Sequence, residues 1–193
     1  MLQVYHRNKG RTDFDPKLLE FSEPYKLDKV TKIHLPVYDQ NRKWSLAMAP
    51  FGIKRISVKN ERYFVKTKYR RVIDQINQLV PAVAKHLFDN REKYGITKTE
   101  EELQTLLKKD SFQCRTFYDR VFYDGDTRKP IDLKALNERG TSFKIMVSVK
   151  PTIYIADDGN IFIDLELMRA TIYPNASKME KQPEPVAAAV ATN

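Results

Sequence analysis

The stretch that most restricts how this chain can fold is FKIMVSVKPTIYIADDGNIFIDLELMRATIY, residues 143–173. Phe143, Ile145, Val147, Val149, Ile153 and Ile155 share one parity, and Ile161, Ile163, Leu165 and Leu167 share one parity again. Between them Asp157, Asp158, Gly159 and Asn160 spell a tight turn. Successive strand side chains point to opposite faces, so the pattern predicts a long antiparallel hairpin with one buried face. Pro151 lacks a ladder donor, which predicts an edge or bulge position for it.

Strand character also dominates residues 30–68, which read as a β-meander. Val30, Ile33, Leu35 and Val37 begin it, Trp44 to Met48 continue it, Pro50 and Gly52 make a turn, and Ile53–Val58 and Tyr63–Lys68 complete it. The period then changes. Val72, Ile76, Leu79, Val80, Val83, Leu87 and Phe88 recur at helical spacing. Pro81 predicts a kink or restart within that stripe, Gly95 a C-cap, and Thr99 with Glu102 a capping box opening a second helix that ends near Lys109. Strand character returns over Phe112–Tyr123, followed by a polar loop from Asp124 to Thr141.

The division expected is an irregular N-terminal arm or a short edge strand over 1–29, a mainly β domain over 30–174 with a helical insertion at 70–110, and a disordered tail over 175–193. The tail, NASKMEKQPEPVAAAVATN, has no aromatic residue and cannot bury enough apolar surface to offset the entropy of ordering. It is either a dispensable end or a tether for a partner. The fold class expected is mainly β (α+β). One topology that fits is an OB-fold-like, partly open barrel of five to seven strands with a helical insertion between the middle strands; the OB-fold places a helix between its third and fourth strands.

Charge narrows the class of partner. The formal charge is +9, and the segment from Lys54 to Arg71 carries eight cations against Glu61 alone, which is 8 − 1 = +7. The cations are Lys54, Arg55, Lys59, Arg62, Lys66, Lys68, Arg70 and Arg71, joined later by Arg115 and Arg120. If the strand runs on far enough, Lys66, Lys68 and Arg70 project from one face at roughly 7 Å spacing, near that of phosphates on an extended strand. Tyr63, Tyr69, Phe117, Tyr118 and Trp44 are interleaved with them as candidate stacking rings. Cations hold a backbone and rings hold unpaired bases, each stack contributing roughly 1–3 kcal/mol whatever the base. A charge run is also what any solvated face looks like, and about half of a set of strand aromatics belongs to a core. The strand-borne rings favour single strands over duplex, since stacked bases leave them no partner.

Other chemistries have weaker signals. Asp164 and Glu166, near Asp157 and Asp158, invite a metal-dependent nuclease reading, yet DDGN is ordinary turn chemistry and no lysine follows at close spacing. His6, His34 and His86 lack ligand spacing for zinc, and the glycines never cluster into a phosphate loop. The chain is therefore expected to be no enzyme and to need no cofactor. Cys114 has no cysteine to pair with and reads as a strand residue of a reducing compartment. No stretch is apolar enough to span a bilayer and no secretion signal is visible, so an intracellular, cytoplasmic site is expected.

The order of elements, the basic strand ahead of the helical insertion and the final hairpin together resemble the OB-fold single-stranded-DNA-binding proteins of large DNA viruses and phages. The resemblance covers residues 30–174 and lies in layout rather than in a motif. It implies a sequence-independent protein that coats exposed single-stranded DNA during replication, recombination or repair, with no cofactor. Its partners would be single-stranded DNA, or RNA, and replication proteins, although the tail lacks the acidic character that often recruits a polymerase or helicase. A different reading is a viral or phage structural or interaction protein whose basic face meets an acidic partner. The helical stripe could also serve a homo-oligomer.

Overall fold

The computed structural model describes residues 3–6, 10–13, 15, 19–34, 37–39 and 42–174. The expected tail at 175–193 lies outside them. The structure is mostly β, and its centre is the hairpin of β12 (Phe143–Ala156) and β13 (Ile161–Tyr173). Pairing runs from Ile155↔Ile161 to Lys144↔Tyr173. The odd residues of β12 face a continuous core, as do Ile161 to Leu167 of β13. Ser148 pairs with Arg169 and Val149 with Leu167, so Met168 is an extra residue at a bulge. That one residue switches the parity, and Ala170 and Ile172 become the buried ones.

β12 is long enough to take three successive partners along its other edge. They are β7 (Phe51–Ile53) at residues 143–145, β6 (Arg42–Ala47) at 148–149 and β4 (Val30–His34) at 152–156. Pro151 falls in the interval between the last two, where this edge has no partner among the described residues. The expected meander is thus corrected for residues 30–53, while Ser57–Lys59 and Arg62–Thr67 do pair in sequence order. β4, β6 and β7 do not pair with one another but each dock on β12, and Gly52 belongs to β7 rather than to a turn. Further out, β3 (Tyr25–Leu27) pairs β4, β5 (Val37–Asp39) pairs β6, and β1 (Gln3–His6) joins β6 to β2 (Gly10–Asp13). The first 29 residues, expected as an irregular arm or a short edge strand, contribute short strands among the described residues.

The free edge of β13 pairs in parallel with β10 (Phe112–Thr116) and β11 (Phe122–Asp124), which a 3-10 turn at 119–121 separates. The single strand expected over 112–123 is two. β10 pairs antiparallel with β9 (Arg62–Thr67), and β9 with β8 (Ser57–Lys59). β7 and β8 belong to one stretch of chain, so the pairing path leaves β7, crosses β12, β13, β10 and β9, and returns to that stretch at β8. A bend at 54–56 interrupts the ladder, and the sheet is not closed.

Helices α1 (Arg70–Asn77), α2 (Val80–Asp89), α3 (Arg91–Tyr94) and α4 (Glu100–Leu107) occupy the insertion between β9 and β10. The stripe restarts at Pro81 in the first turn of α2, where a missing N–H has no partner to lose. Gly95 closes α3 at φ +66, and α4 opens on a Thr99–Glu102 capping box. Asn77 ties α1 to the entry of β10 through two reciprocal bonds with the Lys109 backbone, at 2.8 and 2.9 Å.

The loop expected at 124–141 holds a further helix, α5 (Leu133–Glu138). Asp132 caps it, accepting from the N–H groups of Lys134 and Ala135, while Leu133 and Leu136 enter the core. Among the described residues no helix is long and apolar enough to cross a membrane.

Candidate nucleic-acid interface

Alternation on β9 sends Val65 into the core and leaves Arg62, Phe64 and Lys66 on the outer face, away from the core. β10 lies beside it with Gln113 opposite Lys66 and Arg115 opposite Phe64, while Phe112, Cys114 and Thr116 point inward. Cations and rings therefore meet by register. The Arg62 guanidinium sits over the Phe117 ring at 4.5 Å and the Lys66 ammonium over Phe64 at 5.4 Å. Arg120 lies over Tyr118 at 4.9 Å. Such contacts steady flexible cations without burying them. Phe117 and Tyr118 remain 59% and 54% exposed, ample for a base to stack on each.

The neighbouring cations extend this patch. Lys59 is exposed opposite Arg62. Lys54 and Arg55, on the bend between β7 and β8, share a shallow hollow of about 380 Å³ with Ser57, Lys66 and Ser142. The bend is held by Asn137 of α5, whose side chain donates to the Ile56 carbonyl at 2.9 Å and accepts from its N–H at 3.0 Å.

Other expected site residues lie elsewhere. β9 ends at Thr67, so the alternation proposed through Arg70 is corrected. Arg70 and Arg71 are exposed on α1, where Arg70 Nε donates to Asp74 at 2.9 Å, and Lys68 is exposed between strand and helix. The apolar positions Val72, Ile73 and Ile76 turn this chain into a helix as soon as it passes Tyr69. Tyr63 and Tyr69 are corrected as stacking rings, since both pack against the core and Tyr63 meets Phe122 edge-on at 5.7 Å. The Trp44 side chain lies outside the described residues.

The outer face continues beyond the expected residues. Arg115 Nε and Nη2 donate to Oδ2 of Asp164 on β13, at 3.2 and 2.9 Å. Glu166 is exposed next to this pair and makes no ion pair among the described residues. Tyr154 on β12 stacks on Phe162 with centroids 5.2 Å apart and planes 5° apart, and Lys32 on β4 sits over Tyr154 at 5.1 Å. Burial holds the Tyr154 hydroxyl above its ordinary range, with the Asp164 charge pushing the same way. On β11, Tyr123 carries Arg169 over its ring at 5.2 Å. Phe64 shares parity with Arg62 and Lys66, but alternation alone does not say which parity faces out.

The nuclease reading needs Asp164 free for a metal, and here its carboxylate is engaged by a guanidinium. Among the described residues no group of three or more His, Cys, Asp or Glu is placed to hold a metal ion. Comparison with models of known protein families, with curated proteins and with solved structures finds no match for this chain.

Proposed function

We propose that this chain binds single-stranded nucleic acid, DNA or RNA, without regard to sequence, along the outer face of β9 and β10, and so coats exposed strands during replication, recombination or repair. The observation that carries the reading is the register of β9 against β10 and the residues just after it. It brings Arg62 and Lys66 beside Phe64 and Phe117 on the outer face, next to the Asp164-paired Arg115, and the exposed Tyr118 follows Phe117 in the chain. Cations spaced along a strand suit a backbone of phosphates, and rings between them suit unpaired bases.

The pairing path supports a partly open OB-like barrel as the finer fold. In that reading the bent stretch 51–59 is the first strand, β9 the second, β10 the third, β12 the fourth and β13 the fifth, with α5 between third and fourth. The insertion α1–α4 then sits between second and third. The face of the second and third strands is where that fold takes oligonucleotides, and it coincides with the cation-and-ring surface.

The test is a binding titration of a labelled single strand and its duplex across a salt series. The single strand is expected to bind more tightly, with log affinity falling linearly in log salt. The double substitution Arg62→Glu with Lys66→Glu is expected to weaken binding at least tenfold on any sequence. Equal affinity for both forms, or indifference to that double substitution, overturns the proposal. Cleavage on adding magnesium would replace it with the nuclease reading.

A further inference from the structure

On the outer face, register alone lines up one row across four strands near the hairpin tip. Tyr25 on β3 pairs with Lys32 on β4, Lys32 with Tyr154 on β12, and Tyr154 with Phe162 on β13. The row reads ring, cation, ring, ring. Phe162 and Tyr25 are 43% and 42% exposed. The Tyr25 hydroxyl is fixed by His34 Nε2 at 2.8 Å, and His34 Nδ1 in turn meets Thr152 Oγ1 at 3.2 Å. The two ends of this row, Tyr25 and Phe162, are open to water on the sheet's outer face, and the one charge built into the row is positive.

We infer that this row is a second stacking platform for the same polynucleotide strand, reached only by strands long enough to cross from the β9–β10 surface. The inference rests on the proposed single-strand binding and extends its footprint. Continuity supports it. From Phe64 to Phe162 is two strands sideways and four residues along, on the order of 16 Å from the spacings of a sheet. That gap is larger than one base step and lies within the span of sites of about 4 to 16 nucleotides found on such domains. Charge supports it as well. Glu166, exposed beside the Arg115–Asp164 pair, leaves that gap with a net negative charge that repels phosphate, so the backbone must lift past it and come down again where Lys32 waits over Tyr154. Two anchors with a repulsive interval between them produce a length threshold that one continuous basic track does not.

The experiment compares oligothymidines of about 2 nucleotides, too short at roughly 7 Å per step to cross the gap, and of about 12 nucleotides, titrated against the wild-type chain, Phe162→Ala and Lys32→Gln. The expected result is a loss of roughly fivefold to tenfold for Phe162→Ala on the long strand and none on the short one. Phe162→Tyr, which keeps the ring, should restore the long-strand affinity. Lys32→Gln should lower the salt slope by about one on the long strand only. Wild-type affinity for both variants at both lengths overturns the second platform while leaving the β9–β10 surface standing. An equal loss at both lengths also overturns it, because Phe162 would then act on the first surface or on the fold. A light-scattering mass that falls in Phe162→Ala while binding holds reassigns the row to self-association. Failure of the wild type to bind either oligomer removes the single-strand reading itself.

Discussion

Arg115 on β10 and Asp164 on β13 share a forked contact in which two guanidinium nitrogens meet one carboxylate oxygen, at 2.9 and 3.2 Å. The pair joins neighbouring strands in the middle of the proposed interface, with side chains only 32% and 23% exposed. It also neutralises a cation that a phosphate could otherwise use. Asp164→Asn keeps an acceptor for Arg115 but removes the competing charge, so single-strand affinity should rise severalfold at low salt and the gain should fade as salt screens it. Arg115→Gln should do the reverse and strand a half-buried carboxylate, costing on the order of 1 kcal/mol of stability. Titration of both variants over a salt series checks this. Weaker binding by Asp164→Asn would mean that Arg115 acts through the geometry Asp164 imposes and not through its free charge.

The bend that carries Lys54 and Arg55 depends on one side chain. Asn137 satisfies both the N–H and the carbonyl of Ile56, across 81 residues of sequence. No carboxylate can do both, since it only accepts. Asn137→Ala should therefore cost roughly 2 kcal/mol, and Asn137→Asp a similar amount despite its near-identical shape, because it keeps one bond and turns an anion toward the carbonyl. Chemical denaturation of the three proteins measures this. If the aspartate variant were as stable as wild type, the donated bond to Ile56 would carry no weight.

Some of this was readable in the residues and some could not have been. The hairpin, the Gly95 cap and the Thr99–Glu102 box are local: each is fixed by residues within one turn or by strict alternation, and each occurs where the spacing put it. Partner choice is not local. Residues 30–59 have the composition of strands, but that β4, β6 and β7 each dock on β12 follows from its fourteen-residue length, which no periodicity within 30–59 encodes. Helix α5 is short, and its signal, Asp132 ahead of Leu133 and Leu136, drowned in a polar loop. For the site, alternation split Tyr63 from Phe64 but could not say which faced out, and the inward choice follows from Phe122 lying beneath Tyr63. The Tyr25–Lys32–Tyr154–Phe162 row joins four distant segments and exists only once they pair.

His86 makes the junction between the N-terminal segment and α2 sensitive to acid. Its ring lies flat on Phe21, with centroids 3.7 Å apart and planes 1° apart, and its Nε2 meets the Tyr94 hydroxyl at 3.0 Å. Burial holds its pKa below the ordinary value of 6.5, with Asp89 opposing and Lys93 assisting. Folding thus favours the neutral ring. The stabilisation is complete above about pH 6.5, and it is lost as pH falls from there through the depressed native pKa, because the unfolded chain takes up the proton first. Stability measured between pH 8 and 5 should decline over the lower part of that range. His86→Phe, which keeps the stack and cannot protonate, should remove His86's share of that decline. An unchanged profile in the variant would assign the acid sensitivity to other groups.

Cys114 tests the alternation on which the whole interface depends. It sits between Gln113 and Arg115 on β10 and is almost wholly buried, so burial pushes its thiol far above the usual cysteine range. The thiolate is the reactive species, and here it is both scarce and shielded. Ellman's reagent or iodoacetamide at pH 8 should leave the native chain unlabelled over hours, and one thiol per chain should react once denaturant is added. In graded denaturant the labelling rate should track global unfolding, because β10 lies between β9 and β13 and has no independent way to open. Rapid labelling of the native protein would put Cys114 on the surface. By the same two-residue period, Arg115 would then turn inward, and the cation-and-ring face of β9 and β10 would not exist.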